Sequence, residues 1–71
     1  MAKGRLTNTI RRLRFDADEM TQKELAEKVG VTRQTIVAIE AAKYSPTLEL
    51  AFQIAHVFER PLNEVFFWTP H

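Results

Sequence analysis

Sixteen residues, from Thr21 to Ile36, restrict this chain more than any other stretch. Thr21-Gln22-Lys23-Glu24 is a capping box. Its threonine hydroxyl can accept from the third helical amide while Glu24 reaches back to the amide of Thr21. Leu25, Ala26 and Val29 then share one helical face. Gly30 suits the left-handed residue that ends a helix. Thr32 can cap a second helix whose apolar face holds Ile36 and Ile39. Two helices parted by so few residues must cross and pack at close range.

The flanks keep the same helical spacing. Ile10, Leu13 and Ala17 form one face before this pair, and Leu48, Ala51, Phe52, Ala55 and Phe58 form a longer one after it. Ser45-Pro46-Thr47 starts a helix with Thr47 as its cap, and Pro61 suits the first turn of a last short one. These signals predict five helices, near residues 8–17, 21–29, 32–41, 47–58 and 61–66, in one domain spanning 1–71. Phe66-Phe67-Trp68-Thr69 is β-favouring and is stopped by Pro70. Its one pairing partner is the segment around Leu6. The expectation is an all-α fold with at most a short two-stranded ribbon joining the N- and C-termini.

Composition narrows the chemistry. A chain of 71 residues buries only about 60% of its unfolded surface, so one small core is all it supports. Without cysteine there is no disulfide and no thiolate metal site. His56 and His71 are too few for a closed zinc site without carboxylate help. Asp16, Asp18 and Glu19 lack the glycine and distal glutamate of a calcium loop. No serine, histidine and acid fall into a triad-like context. No enzyme, cofactor, metal or small-molecule ligand is expected. No apolar run approaches the roughly 20 residues of a membrane span, and no leader-like start precedes the domain, so a cytoplasmic location is expected.

The net charge of +1 hides an uneven distribution. Residues 1–14 carry Lys3, Arg5, Arg11, Arg12 and Arg14 with no acid, whereas residues 15–31 and 47–71 are net acidic. Such asymmetry points to an anionic partner. A helix, a tight glycine turn and a second helix form a helix-turn-helix signature, in which the second helix enters the major groove by its N-terminal residues. Arg33 and Gln34 stand at that position. Arginine can pair with guanine O6 and N7, and glutamine with adenine N6 and N7. Gln22, on the first turn of the preceding helix, is placed for a phosphate. Val37 and Ala38 come next, where a longer polar side chain would read a further base; they suit a thymine methyl or a close approach of the helix.

The run Thr21 to Ile36, continued by Ile39-Glu40, resembles the helix-turn-helix of the Cro and lambda-type repressors, the xenobiotic-response-element family. Lys43-Tyr44-Ser45-Pro46-Thr47-Leu48-Glu49-Leu50-Ala51 and Pro61-Leu62-Asn63-Glu64-Val65-Phe66 resemble its short single-domain members. The resemblance covers about residues 10 to 68. It implies that Arg33, Gln34 and Ala38 face bases, and that Gln22, Thr32, Thr35, Lys43, Tyr44 and Ser45 hold the DNA backbone. It also implies a buried ion pair between Arg14 and Glu40.

Three departures stand out. Ala41-Ala42 replaces the glycine or asparagine that usually ends the third helix. Glu59-Arg60 replaces a Gly-Val. The connection from Phe15 to Met20 is a residue longer than usual, and acidic.

The aromatic crowding at the C-terminus suggests a dimer surface built from Leu62, Val65, Phe66, Phe67 and Trp68. Together these features predict a homodimeric, sequence-specific regulator of double-stranded DNA, acting as a repressor on an inverted-repeat operator. An antitoxin, a restriction–modification controller or a protein-scaffolding module are the rival roles for the same fold.

Overall fold

The computed structural model describes residues 4–70; Lys3 and His71 lie outside the described residues. The order is β1 (Gly4–Asn8), α1 (Ile10–Asp16), α2 (Gln22–Val29), α3 (Arg33–Glu40), α4 (Leu48–Val57), α5 (Leu62–Val65) and β2 (Phe66–Pro70). Three of the five helices start on a threonine whose hydroxyl caps the helix. Thr21 forms the full capping box, its hydroxyl accepting from the Glu24 amide at 3.0 Å while the Thr21 amide donates to Glu24 Oε1 at 2.9 Å. Thr32 accepts from the Thr35 amide at 3.3 Å, and Thr47 from the Leu50 amide at 3.2 Å. Each satisfies one of the amides that a helix start leaves without a partner.

Helix ends show a second regularity. The amide of the residue beyond the turn donates five residues back in three places: Val31 to Ala26, Lys43 to Ala38 and Arg60 to Ala55. This closure needs a left-handed residue at the turn. Gly30 supplies it at φ 76°, but Ala42 and Glu59 adopt it as ordinary L-residues at φ 59° and 54°. The two departures from the family pattern are therefore absorbed by strained residues rather than by a different turn. The long acidic connection is closed in a similar way. Asp18 and Glu19 are both left-handed, and the Met20 amide donates to the Arg14 carbonyl at 2.9 Å.

Apolar faces converge on one core. Ile10, Leu25, Ile36, Ile39, Ile54 and Val65 are fully buried, with Leu50, Ala51 and Phe66 at its margin. At about 1.5–3 kcal/mol for each such side chain, this cluster is the main favourable contribution to folding. The expected ribbon is present: β1 and β2 pair antiparallel, with Leu6 opposite Trp68 and Asn8 opposite Phe66. Trp68 lies over Gly4, and a Cβ at Gly4 would collide with its indole.

Most helix boundaries lie about a residue inside the sequence expectation, and two of these shifts have a specific cause. The first helix starts at Ile10 rather than residue 8, because Asn8 belongs to the ribbon and Thr9 is held by the Val65 and Glu64 carbonyls. The last helix stops at Val65, since Phe66 turns extended (φ −120°, ψ 141°) and starts β2 with no loop between.

Candidate nucleic-acid interface

Helix α3 is held on one side by Ile36 and Ile39 and is open on the other. At about 100° per residue, Gln34 and Ala41 lie opposite the buried pair, with Val37 and Ala38 to either side. Exposure agrees with this: Arg33, Gln34, Val37 and Ala41 are exposed, and Thr35 and Ala38 are half-buried. The Thr32 and Thr35 hydroxyls lie 3.1 Å apart at the start of the helix. Thr32, Gln34, Thr35, Ala38 and Tyr44 line an open groove of about 270 Å³. Lys43, Tyr44 and Ser45, in the loop after α3, are exposed beside it.

The Arg14–Glu40 pair is formed and fixes how α3 sits against α1. Arg14 donates from Nε to Glu40 Oε2 at 2.7 Å and from Nη2 to Oε1 at 3.0 Å, while Nη1 reaches the Met20 carbonyl at 2.8 Å. Both side chains are largely shielded from solvent. Such a fork geometry is strong and directional. Gln22 joins this network, its Nε2 3.4 Å from Glu40 Oε1. The side-chain amide of Gln22 is thereby steered toward α3, at the edge of a hollow of about 610 Å³ between α1 and α2.

That hollow gathers cations that sequence reasoning does not bring together. Arg11, Lys23 and Arg33 all line it. In the sequence Arg11 is only one member of the basic N-terminal stretch, and Lys23 has no assigned role. They border one hollow because α1 and the start of α2 both line it, an arrangement with no local sequence signal. Arg12, by contrast, is drawn to Asp16 at 3.3 Å within its own helix. Glu24 is spoken for by the cap: the Thr21 backbone amide, then the Thr21 side chain and Lys28, hold its carboxyl below the usual value.

The expected dimer residues divide. Val65 is fully buried and Phe66 nearly so, inside the domain's own core, so neither is an exposed surface group. The cause is α5, which turns Val65 inward against the other helices and places Phe66 where the ribbon meets the core. Leu62 is half-buried, while Phe67 and Trp68 are 40% and 55% exposed.

A capped helix offered on an open face, set against a second helix by a tight left-handed turn and rimmed by cations, defines a helix-turn-helix protein of the nucleic-acid-binding class. The family profile described as helix-turn-helix matches residues 10–65. The chain belongs to this family, in its Cro and lambda-repressor type, a family of DNA-binding regulators and not of enzymes.

Among its relatives, an uncharacterised helix-turn-helix-type transcriptional regulator of Methanocaldococcus jannaschii is 51% identical over 49 residues, 69% of this chain and 74% of that one. One from Methanothermobacter thermautotrophicus is 56% identical over 48 residues, 68% of this chain and 70% of that one. One from Archaeoglobus fulgidus is 53% identical over 47 residues, and the match spans 66% of either chain. The crystal structure of a candidate DNA-binding protein from Bacteroides fragilis superposes with a TM-score of 0.76 at 21% identity, covering 87% of this chain and 98% of that one. At that identity the likeness is one of fold. Among the described residues, no helix is long and apolar enough to cross a membrane.

Proposed function

We propose that this chain is a transcriptional repressor that binds an inverted-repeat operator as a two-fold homodimer. One observation carries the reading: Arg33 and Gln34 stand exposed on the first turn of α3, directly after the Thr32 cap. There they are placed to donate to guanine or adenine edges in the major groove. Ala38 faces the bases behind them. Gln22, Thr32 and Thr35 hold one stretch of sugar–phosphate, and Lys43, Tyr44 and Ser45 another. Relatives described as transcriptional regulators support the role.

A single short helix reads too few base pairs to find a unique site. Two copies related by a two-fold axis read half-sites about 34 Å apart. The exposed Phe67 and Trp68, with Leu62 beside them, are the surface proposed to join the copies. Repression is steric: an occupied promoter excludes polymerase.

Selection of bound duplexes from a random pool, followed by footprinting, tests the reading. The expected product is an inverted repeat protected over two half-sites, with a dimeric mass in sedimentation. Failure to enrich any sequence, together with salt-insensitive binding to another protein, overturns it in favour of a scaffolding module. Arg33→Ala is expected to weaken the selected site by ~1–3 kcal/mol and to relax one base position. Equal losses on random DNA would make Arg33 a backbone contact instead.

A further inference from the structure

Beyond its first turn, the outward face of α3 carries no hydrogen-bonding side chain. Val37 is 38% exposed, Ala41 is exposed and Ala38 half-buried, so the second turn presents methyl groups alone. These groups continue the face that begins with Arg33 and Gln34: Val37 lies four residues after Arg33, and Ala38 four after Gln34, one turn further along. The pattern is not a packing requirement. Ile36 and Ile39 already fill the core side of this helix, and Val37 contributes nothing to the buried cluster.

An apolar surface on a helix that lies in the major groove has one complementary group there. Of the four bases only thymine presents a methyl group, on its C5, at the major-groove edge. We infer that Val37, with Ala41 one turn on, reads thymine methyl groups, so that the half-site of this protein has thymine at one or two positions beyond those read by Arg33 and Gln34. The inference rests on the DNA-binding reading above and names the base chemistry of that same site. Small side chains serve it in two ways. They let α3 approach the base edges closely, and they make contact with a methyl group without leaving a buried polar atom unpaired.

The experiment uses the full chain and the duplex selected from a random pool. Each thymine in the half-site is replaced in turn by deoxyuridine, which deletes the methyl group and leaves base pairing intact. The expected result is a loss of about fourfold in affinity at one or two positions, the worth of one buried methyl group. In Val37→Ala, an exposed and helix-compatible change, the same replacement at the Val37-contacted position is expected to have no further effect.

Val37→Asn introduces an amide and is expected to shift the preferred base from thymine toward adenine. If uracil and thymine bind wild-type protein equally at every position, the inference is overturned while DNA binding stands. If deoxyuridine weakens wild type and Val37→Ala alike, the methyl group is read elsewhere and the assignment to Val37 is overturned. If no sequence is enriched from the pool, the functional reading fails first, and this inference with it.

Discussion

Helix α3 is entered and left by two turns of the same geometry built from different materials. At the entrance, Gly30 takes the left-handed conformation at φ 76°, and Thr32 caps the helix two residues later. At the exit, Ala42 takes the same conformation at φ 59°. The end of α3 is held there by groups distant in sequence. Asn8, 31 residues away, donates to the Ile39 carbonyl at 2.8 Å and accepts from the Ile10 amide at 3.1 Å. Arg14, 26 residues away, clamps Glu40. The entrance is held by local chemistry and the exit by tertiary contacts. Changes at the entrance should therefore stay local, whereas changes at the exit should shift α3 as a whole.

Glu40 is the most sensitive position of the exit. Glu40→Ala leaves the Arg14 guanidinium shielded and unpaired, and is expected to cost roughly 3 kcal/mol in denaturant unfolding. Gln22 loses its anchor in the same step. A cost near zero would show that the exit does not depend on the pair.

Next in size, Asn8→Ala removes two hydrogen bonds joining β1, α1 and the end of α3, at about 2 kcal/mol. Amide exchange is the sharper measurement, since the last turn of α3 and the first amides of α1 should lose protection together. Loss of protection confined to α1 would argue against the tie.

Smaller still, and opposite in sign, are two exchanges at the turns themselves. Gly30→Ala is expected to destabilise by about 1 kcal/mol, purely through its backbone, because a Cβ there meets nothing within 4 Å. Ala42→Gly is expected to stabilise by about 1 kcal/mol by relieving the same strain. Thermal melts of the two variants moving in the same direction would refute the equivalence of the two turns.

The smallest effect lies at the capping box of α2. The folded-state pKa of Glu24 is lowered, so its contribution is present above the ordinary carboxylate range and is lost as pH falls through the folded value. The melting difference between wild type and Glu24→Gln should therefore close on acidification; a difference that widens would place the carboxylate's role elsewhere.

Much of this is legible in the sequence. The three threonine caps, Gly30 and the inward isoleucines are local signals, and the Arg14–Glu40 pair is implied by family resemblance. The reach of Asn8 is not legible, because a side-chain amide carries no mark of a carbonyl 31 residues away. The same holds for Arg11 and Lys23 lining one hollow, since they stand on different helices. Val65 and Phe66 depart from the sequence expectation for a related reason. Aromatic and apolar crowding in sequence does not reveal which side of a four-residue helix turns inward, and here Val65 completes the core while Phe66 starts a strand.

Taken alone, the sequence determined the helices, their caps and the tight turn, because those depend on hydrogen bonds within a few residues and on helical periodicity. It also determined that a guanidinium and an amide head the third helix. Only the tertiary structure decided which face of that helix is open, how the exit turn is held, and which C-terminal aromatics remain exposed. Those outcomes depend on burial against partners far along the chain. A local pattern can offer an apolar group for burial, but the shape of the assembled core selects which groups it takes.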